Sequence, residues 1–173
     1  MASRQAHQLT GWAAGVAAAV WVTHHGASGP YHILALATLI AGYVGGTAPD
    51  SLEWVPFRKG QRWCAHRTVT HWAPVWILGF YGSIAQLGQG WWWSPLLGFF
   101  GAGLLHLVCD WPNPMGIPLL WSRHSLNLWR SGRADSVVVT LCWVAALCFS
   151  DNVLFGSAYL QRVLSLLALP FAS

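Results

Sequence analysis

The feature that most constrains this chain is a series of long apolar blocks with almost no charge inside them. Six can be marked, at residues 7–23, 31–48, 70–87, 95–110, 136–150 and 153–170. A helix that crosses a bilayer needs about 20 apolar residues, with a range of roughly 17–25. Charged residues make up 8% of the chain and hydrophobic ones 55%, whereas soluble domains carry about 25% charged residues. The blocks therefore predict an all-α, polytopic transmembrane helix bundle of about six helices, a single domain over residues 1–173. Blocks one to four are read as spans. Block five is short for a span and block six contains Arg162. These two are read as a tight crossing hairpin or as interfacial helices.

Arg4 followed by "GWAAGVAAAVW" has the outline of a signal peptide. Further apolar blocks follow, so an uncleaved first helix is the preferred reading. Its small residues suit close packing on a neighbouring helix. The four cysteines, Cys64, Cys109, Cys142 and Cys148, form no CxxC pair and are read as packing residues. No phosphate-cradling GxxxxGK[ST] loop occurs. No basic run with interleaved aromatics points to nucleic acid.

The basic residues set an orientation. Arg4 precedes block one. Arg58, Lys59, Arg62 and Arg67 lie between blocks two and three, and Arg123, Arg130 and Arg133 between blocks four and five. The linkers "HHGASGPYH", "GQGWWWSP" and "SDN" carry neither Lys nor Arg. Positive charge collects on the cytoplasmic side. Both termini are therefore expected in the cytoplasm of a bacterial cell, with Trp91–Trp93 in the opposite aromatic belt.

That topology brings polar residues to one face. His7 stands at the cytoplasmic entrance of block one, and Asp50 and Glu53 after the exit of block two. His66 and His71 flank the entrance of block three, and His106 and Asp110 close block four. Of five acidic residues in the chain, three are in this set. His106 and Asp110 are one helical turn apart on one face. Asp50 and Glu53 share a face if their segment is helical, and Pro49 suits a helix start. His66 and His71 can meet if His66 lies in the loop and Thr70 caps the next helix, with Pro74 in its first turn.

Imidazoles with carboxylates are a first shell for zinc, manganese or iron. Seven ligands exceed the needs of one tetrahedral zinc, so one or two divalent ions fit, zinc being preferred. Bland readings stand beside this. Asp110 can pair with Arg67, Asp50 can be a turn residue, Glu53 can neutralise Arg58 or Lys59, and a lone histidine often only bonds a carbonyl. Ionisable groups near membrane depth are nonetheless functional candidates. His24, His25 and His32 fall on the opposite face, and His124 is read as an exposed residue of a basic loop.

The pieces "AHQLTG", "APDSLEW", "HRTVTHW" and "HLVCDWPNPMGIPLLWS", spread over residues 7–122, resemble a family of bacterial inner-membrane metal-dependent hydrolases, some described as LexA-regulated. The resemblance implies a metal-dependent hydrolase with His7, Asp50, His66, His71, His106 and Asp110 in its site. Where many members read "PDxDH", this chain has Leu52 and Glu53. Glu53 then stands as a ligand or as the base. The expected activity is hydrolysis of a phosphoester or related ester by a metal-activated water, on a lipid or a phosphorylated small molecule at the cytoplasmic headgroups. Arg67 would steady negative charge, and Thr70 would orient a ligand. Two rivals use the same residues: a metal transporter or sensor, and a structural membrane protein whose His–Asp pairs only tie helices together.

Overall fold

The computed structural model describes residues 3–25, 30–55, 58, 60–129 and 132–168. Lys59, Arg130, the middle of the "HHGASGPYH" linker and the end of block six lie outside them. Among the described residues, six helices make up most of the molecule: α1 (Arg4–His25), α2 (Tyr31–Ser51), α3 (Ala73–Ala85), α4 (Trp93–Asp110), α5 (Asp135–Phe155) and α6 (Ala158–Ala168). A short 3-10 helix, Val69–His71, precedes α3. A two-stranded antiparallel hairpin, β1 (Ile117–Pro118) and β2 (Arg123–His124), follows α4.

α2 lies between α1 and α4, and these three form the centre. α3 packs on α4, and α5 packs on α1. Glycines make the central contacts possible. Gly11 and Gly15 on α1 meet Gly42 and Gly46 on α2, so each helix presents a GxxxG pair to the other. A Cβ on Gly46 would stand 2.5 Å from the His7 carbonyl oxygen. Gly45 and Gly98 let the α2 and α4 backbones approach in the same way. At the site-bearing end, Ala48, Ala73, Trp76, Leu107 and Ile117 form an apolar cluster. There the Trp76 indole donates to the Thr70 carbonyl at 2.7 Å.

The outside of the bundle is apolar. On α2, Ile33, Leu36, Ile40 and Val44 recur at helical spacing and are about half exposed or more. Thr38 on the opposite face is buried and returns its hydroxyl to the Leu34 carbonyl. A stripe of this kind is stable only where the solvent is itself apolar. The protein is an all-α membrane helix bundle.

Element bounds differ from the sequence reading in informative ways. Among the described residues, α2, α4 and α5 are the helices long and apolar enough to cross a membrane. Block five, read as short, is α5 with 21 residues. "SDN" is not a linker: Ser150, Asp151 and Asn152 lie inside α5, and the chain turns at Gly156, where φ is +59°. The Asp151 carboxylate accepts from the Tyr159 and Leu160 amides, capping α6. Block three begins as a 3-10 turn, and its helix has only 13 residues, about 20 Å. α6 has 11 residues, also well short of the roughly 30 Å hydrocarbon core. Pro49 does not start a helix; it lies in the last turn of α2.

Candidate metal centre

Four segments deliver the site. The last turn of α2 presents Asp50, and the chain leaving it presents Glu53. The 3-10 turn presents His71, the last turns of α4 present His106 and Asp110, and the first turn of α1 presents His7. The glycine contacts draw these helix ends close enough to converge. His7, Glu53, His71, His106 and Asp110 are each at most 1% exposed, and the Asp50 side chain is 27% exposed.

His71 Nε2 and His106 Nε2 stand 3.3 Å apart. Asp50 Oδ1 is 3.3 Å from the first and 3.8 Å from the second. Asp110 Oδ2 is 3.9 Å from the first and 3.5 Å from the second. Ligand atoms about 2.0–2.1 Å from a tetrahedral zinc stand roughly 3.3 Å from one another. His7 stacks on His106, with ring centres 3.7 Å apart, and its Nε2 is 3.5 Å from Asp110 Oδ1.

The far side of each imidazole is occupied. The Gly46 carbonyl is 2.7 Å from His106 Nδ1. Glu53 Oε1 is 3.3 Å from His71 Nδ1, and the Thr70 hydroxyl is 3.2 Å from the same atom. With Nδ1 of each ring donating to these acceptors, both Nε2 lone pairs point at each other. Neutral rings so placed repel unless a proton or a cation lies between them. Among the described residues, His7 Nδ1 and Nε2 and Asp50 Oδ1 are buried here without a hydrogen-bond partner. Each such atom costs about 1–3 kcal/mol. The donor set and these orphaned atoms fit a divalent cation.

Glu53 joins Asp50 and His71 in one of the groups of converging ligand atoms, and it also braces its neighbours. Its Oε1 accepts from the Arg67 amide at 2.8 Å and the Thr70 hydroxyl at 3.2 Å, and its Oε2 is 2.7 Å from His66 Nδ1. It therefore stands behind both histidines. His66 is outside the three groups of converging ligand atoms, which contain His7, Asp50, Glu53, His71, His106 and Asp110. Thr70 caps no helix, since Trp72 occupies the cap of α3. Its hydroxyl bridges Glu53 and His71 instead.

Arg67 is fully buried. Its Nη2 lies 2.5 Å from Asp110 Oδ2, an ion pair not aligned as a hydrogen bond, and its Nη1 donates to the Gly116 carbonyl at 3.0 Å. Its φ is +57°, a conformation non-glycine residues rarely adopt. The Glu53 contact on its amide and the Arg123 guanidinium on its carbonyl hold it there. Burial pushes the Arg67 guanidinium down from the ordinary arginine value, against the pull of Asp110. Burial likewise lowers His71 from the ordinary histidine value, with the Asp50 contact opposing.

Several supporting residues escaped the sequence reading. The Gly46 carbonyl carries no side-chain signal. Asn113, buried three residues after Asp110, reaches Asp110 Oδ1 at 3.4 Å. Arg123 braces the His66 and Arg67 carbonyls. His124 is exposed, as read, and it also accepts the Trp111 indole N–H at 2.7 Å.

Residues 1–173 match the model of a family described as YdjM inner membrane protein. The chain belongs to that family. No curated protein and no solved structure matches it.

Proposed function

We propose that this member of the YdjM inner membrane protein family is a membrane-embedded, metal-dependent hydrolase of a phosphoester or related ester. The observation that carries the reading is the pair of Nε2 atoms 3.3 Å apart, flanked by Asp50 Oδ1 and Asp110 Oδ2. His71, His106, Asp50 and Asp110 would hold the ion, with His7 adjacent. A divalent cation there supplies Lewis-acid polarisation and lowers the pKa of a bound water toward about 7.

The chain's own residues do the rest. Glu53 and the Gly46 carbonyl fix the tautomers of His71 and His106. Arg67 holds Asp110 rather than the substrate. His66, half-buried and clamped to Glu53, is the proton carrier, and Glu53 acts through it. Arg4, Arg58, Arg62, Arg123 and Arg133 flank the site-bearing ends of the helices, which supports a cytoplasmic site.

A purely structural reading draws on the buried Arg67–Asp110 pair but leaves the orphaned His7 and Asp50 atoms without a purpose. A transporter needs polar groups partway across. No His, Asp, Glu, Lys or Arg lies between His32 and Asp50 on α2, within α3, or before His106 on α4.

The test is metal analysis of the mildly purified protein together with turnover of a phosphoester panel. Stoichiometric metal lost in His71→Ala, with chelator-sensitive cleavage, is the expected result. Metal without cleavage of any ester sinks the hydrolase, and no metal at all sinks the site.

A further inference from the structure

The ligand set is closed on most sides, and Asp50 is its one member with an appreciably exposed side chain. It opens into a cavity of about 330 Å³ lined by Arg4, Thr47, Asp50, Ser51, Glu53, Trp54, Arg62 and His66. Any molecule that reaches the converging Nε2 atoms from this side passes Asp50 first. The charges around this mouth are unevenly spent. Both oxygens of Glu53 already have donors within the protein. Arg62 keeps only a loose 3.9 Å approach to Glu53 and lies over the Trp54 ring at 4.9 Å. The Arg4 guanidinium makes no hydrogen bond or ion pair among the described residues. Two guanidinium groups therefore border a cavity that Asp50, the exposed ligand of the candidate metal centre, also lines.

We propose that this mouth binds a phosphate group of the substrate, with Arg4 and Arg62 as the recognising cations. The proposal rests on the hydrolase reading of the same site and names the group it takes. Guanidinium groups match phosphate oxygens with paired, charge-assisted hydrogen bonds. Ser51 adds a hydroxyl donor on the wall. Arg62 can turn from Trp54 and Glu53 onto an anion, because its side chain is 40% exposed. Asp50 meets the phosphate only with its charge offset by the ion it helps to hold.

The test is retention of radiolabelled inorganic phosphate by the purified protein, with metal counted in the same sample. Wild-type protein should bind saturably. Arg4→Gln and Arg62→Gln should each weaken binding by about tenfold or more, with Arg62→Lys retaining most of it and the metal count unchanged. Both arginines are on the surface, so these variants fold. Ser51→Trp should block the mouth while leaving charge and metal intact. Metal present with phosphate affinity indifferent to Arg4 and Arg62 overturns the mouth and leaves the metal centre standing. Arginine-dependent phosphate binding without metal keeps the mouth and removes the hydrolase. Displacement by short-chain phosphatidate but not by phenyl phosphate identifies a lipid headgroup as the source, and equal displacement a phosphate monoester at large.

Discussion

The α1–α2–α4 centre and the α5 helix obey different packing rules, although both are apolar and each is long. α2 buries seven residues, among them Gly42, Gly45, Gly46 and Ala48. α5, of equal length, buries Ala146 alone. Between α1, α3, α4 and α5 lies an apolar groove of about 520 Å³, walled by residues such as Ala14, Trp21, Leu97 and Phe149. In a bilayer, lipid is as good a neighbour to leucine as another leucine is, so apolar side chains do not by themselves hold helices together. Close backbone contact and polar groups do. The centre has both, and it is where the histidines and acids meet. α5 is tied mainly at its ends, where Asp135 accepts the Ser3 amide at 2.9 Å and Asp151 caps α6.

The most forceful way to break the contrast is at Gly46. A leucine there has to occupy the place of the His7 carbonyl and the Gly11 backbone. Gly46→Leu should cost more than the roughly 1–3 kcal/mol of ordinary overpacking, because the obstacle is backbone. Loss of the folded peak in detergent gel filtration is the expected result. A normally folded Gly46→Leu protein would show that α1 and α2 are not held at this distance.

Next in size is Asp110→Ala. It strands the buried Arg67 guanidinium, worth about 3–5 kcal/mol of stability, and removes a ligand. Arg67→Met in the same chain should restore much of the unfolding temperature but none of the metal. If the double variant regains metal, Asp110 belongs to the ion pair and not to the site.

The central region was legible because its signals are chemical. Few residues ionise in this chain, and the charge alternation alone sends His7, Asp50, His71, His106 and Asp110 to one face. What could not be read is how they divide the work. Glu53 and His66 carry the same residue-type signal as the ligands, and only the geometry puts Glu53 behind His66 and His71. The pairing of Asp110 with Arg67 was among the readings, but Arg67 also looked available to a substrate, because sequence carries no burial for a loop residue. α5 was misjudged for a related reason. Ser150 and Asp151 look like a helix end, but the serine hydroxyl bonds the Ala146 carbonyl and the aspartate caps the next helix. The β1–β2 hairpin has strands of two residues each, too short for any alternation to register.

Glu53→Gln sharpens the division within the centre. The side chain keeps its size but loses the charge that orients His71, so metal affinity should fall about 10–100-fold without loss of fold. Competition with a calibrated chelator measures it. Unchanged affinity would place Glu53 outside the metal's support and leave it to His66 alone.

Acid should act on the centre more gently, and with a definite sign. Burial keeps His71 below the ordinary histidine value. As pH falls past about 6.5, the unfolded chain takes up a proton there that the folded chain still resists. The stability this contributes is present above that pH and lost below it, so the unfolding temperature should decline on the acid side. His71→Gln should flatten that limb. An acid limb identical in the variant would assign the decline to other groups.

The smallest effect is expected where the contrast is sharpest, on the lipid-facing surface of α5. Leu141 is 62% exposed. Truncating it to alanine exchanges a leucine–lipid contact for a lipid that moves in, and no cavity remains to be filled. Leu141→Ala should therefore shift stability by less than about 0.5 kcal/mol, in the range of surface substitutions. Ala146, one turn further on and buried against its neighbours, is the control on the same helix. Ala146→Leu should push α5 off α1 and lower the unfolding temperature, while the metal count stays at its wild-type value because no ligand comes from α5. If Leu141→Ala proves as costly as Ala146→Leu, the exposed face of α5 is covered by protein rather than lipid, and the two regions differ less than their packing indicates.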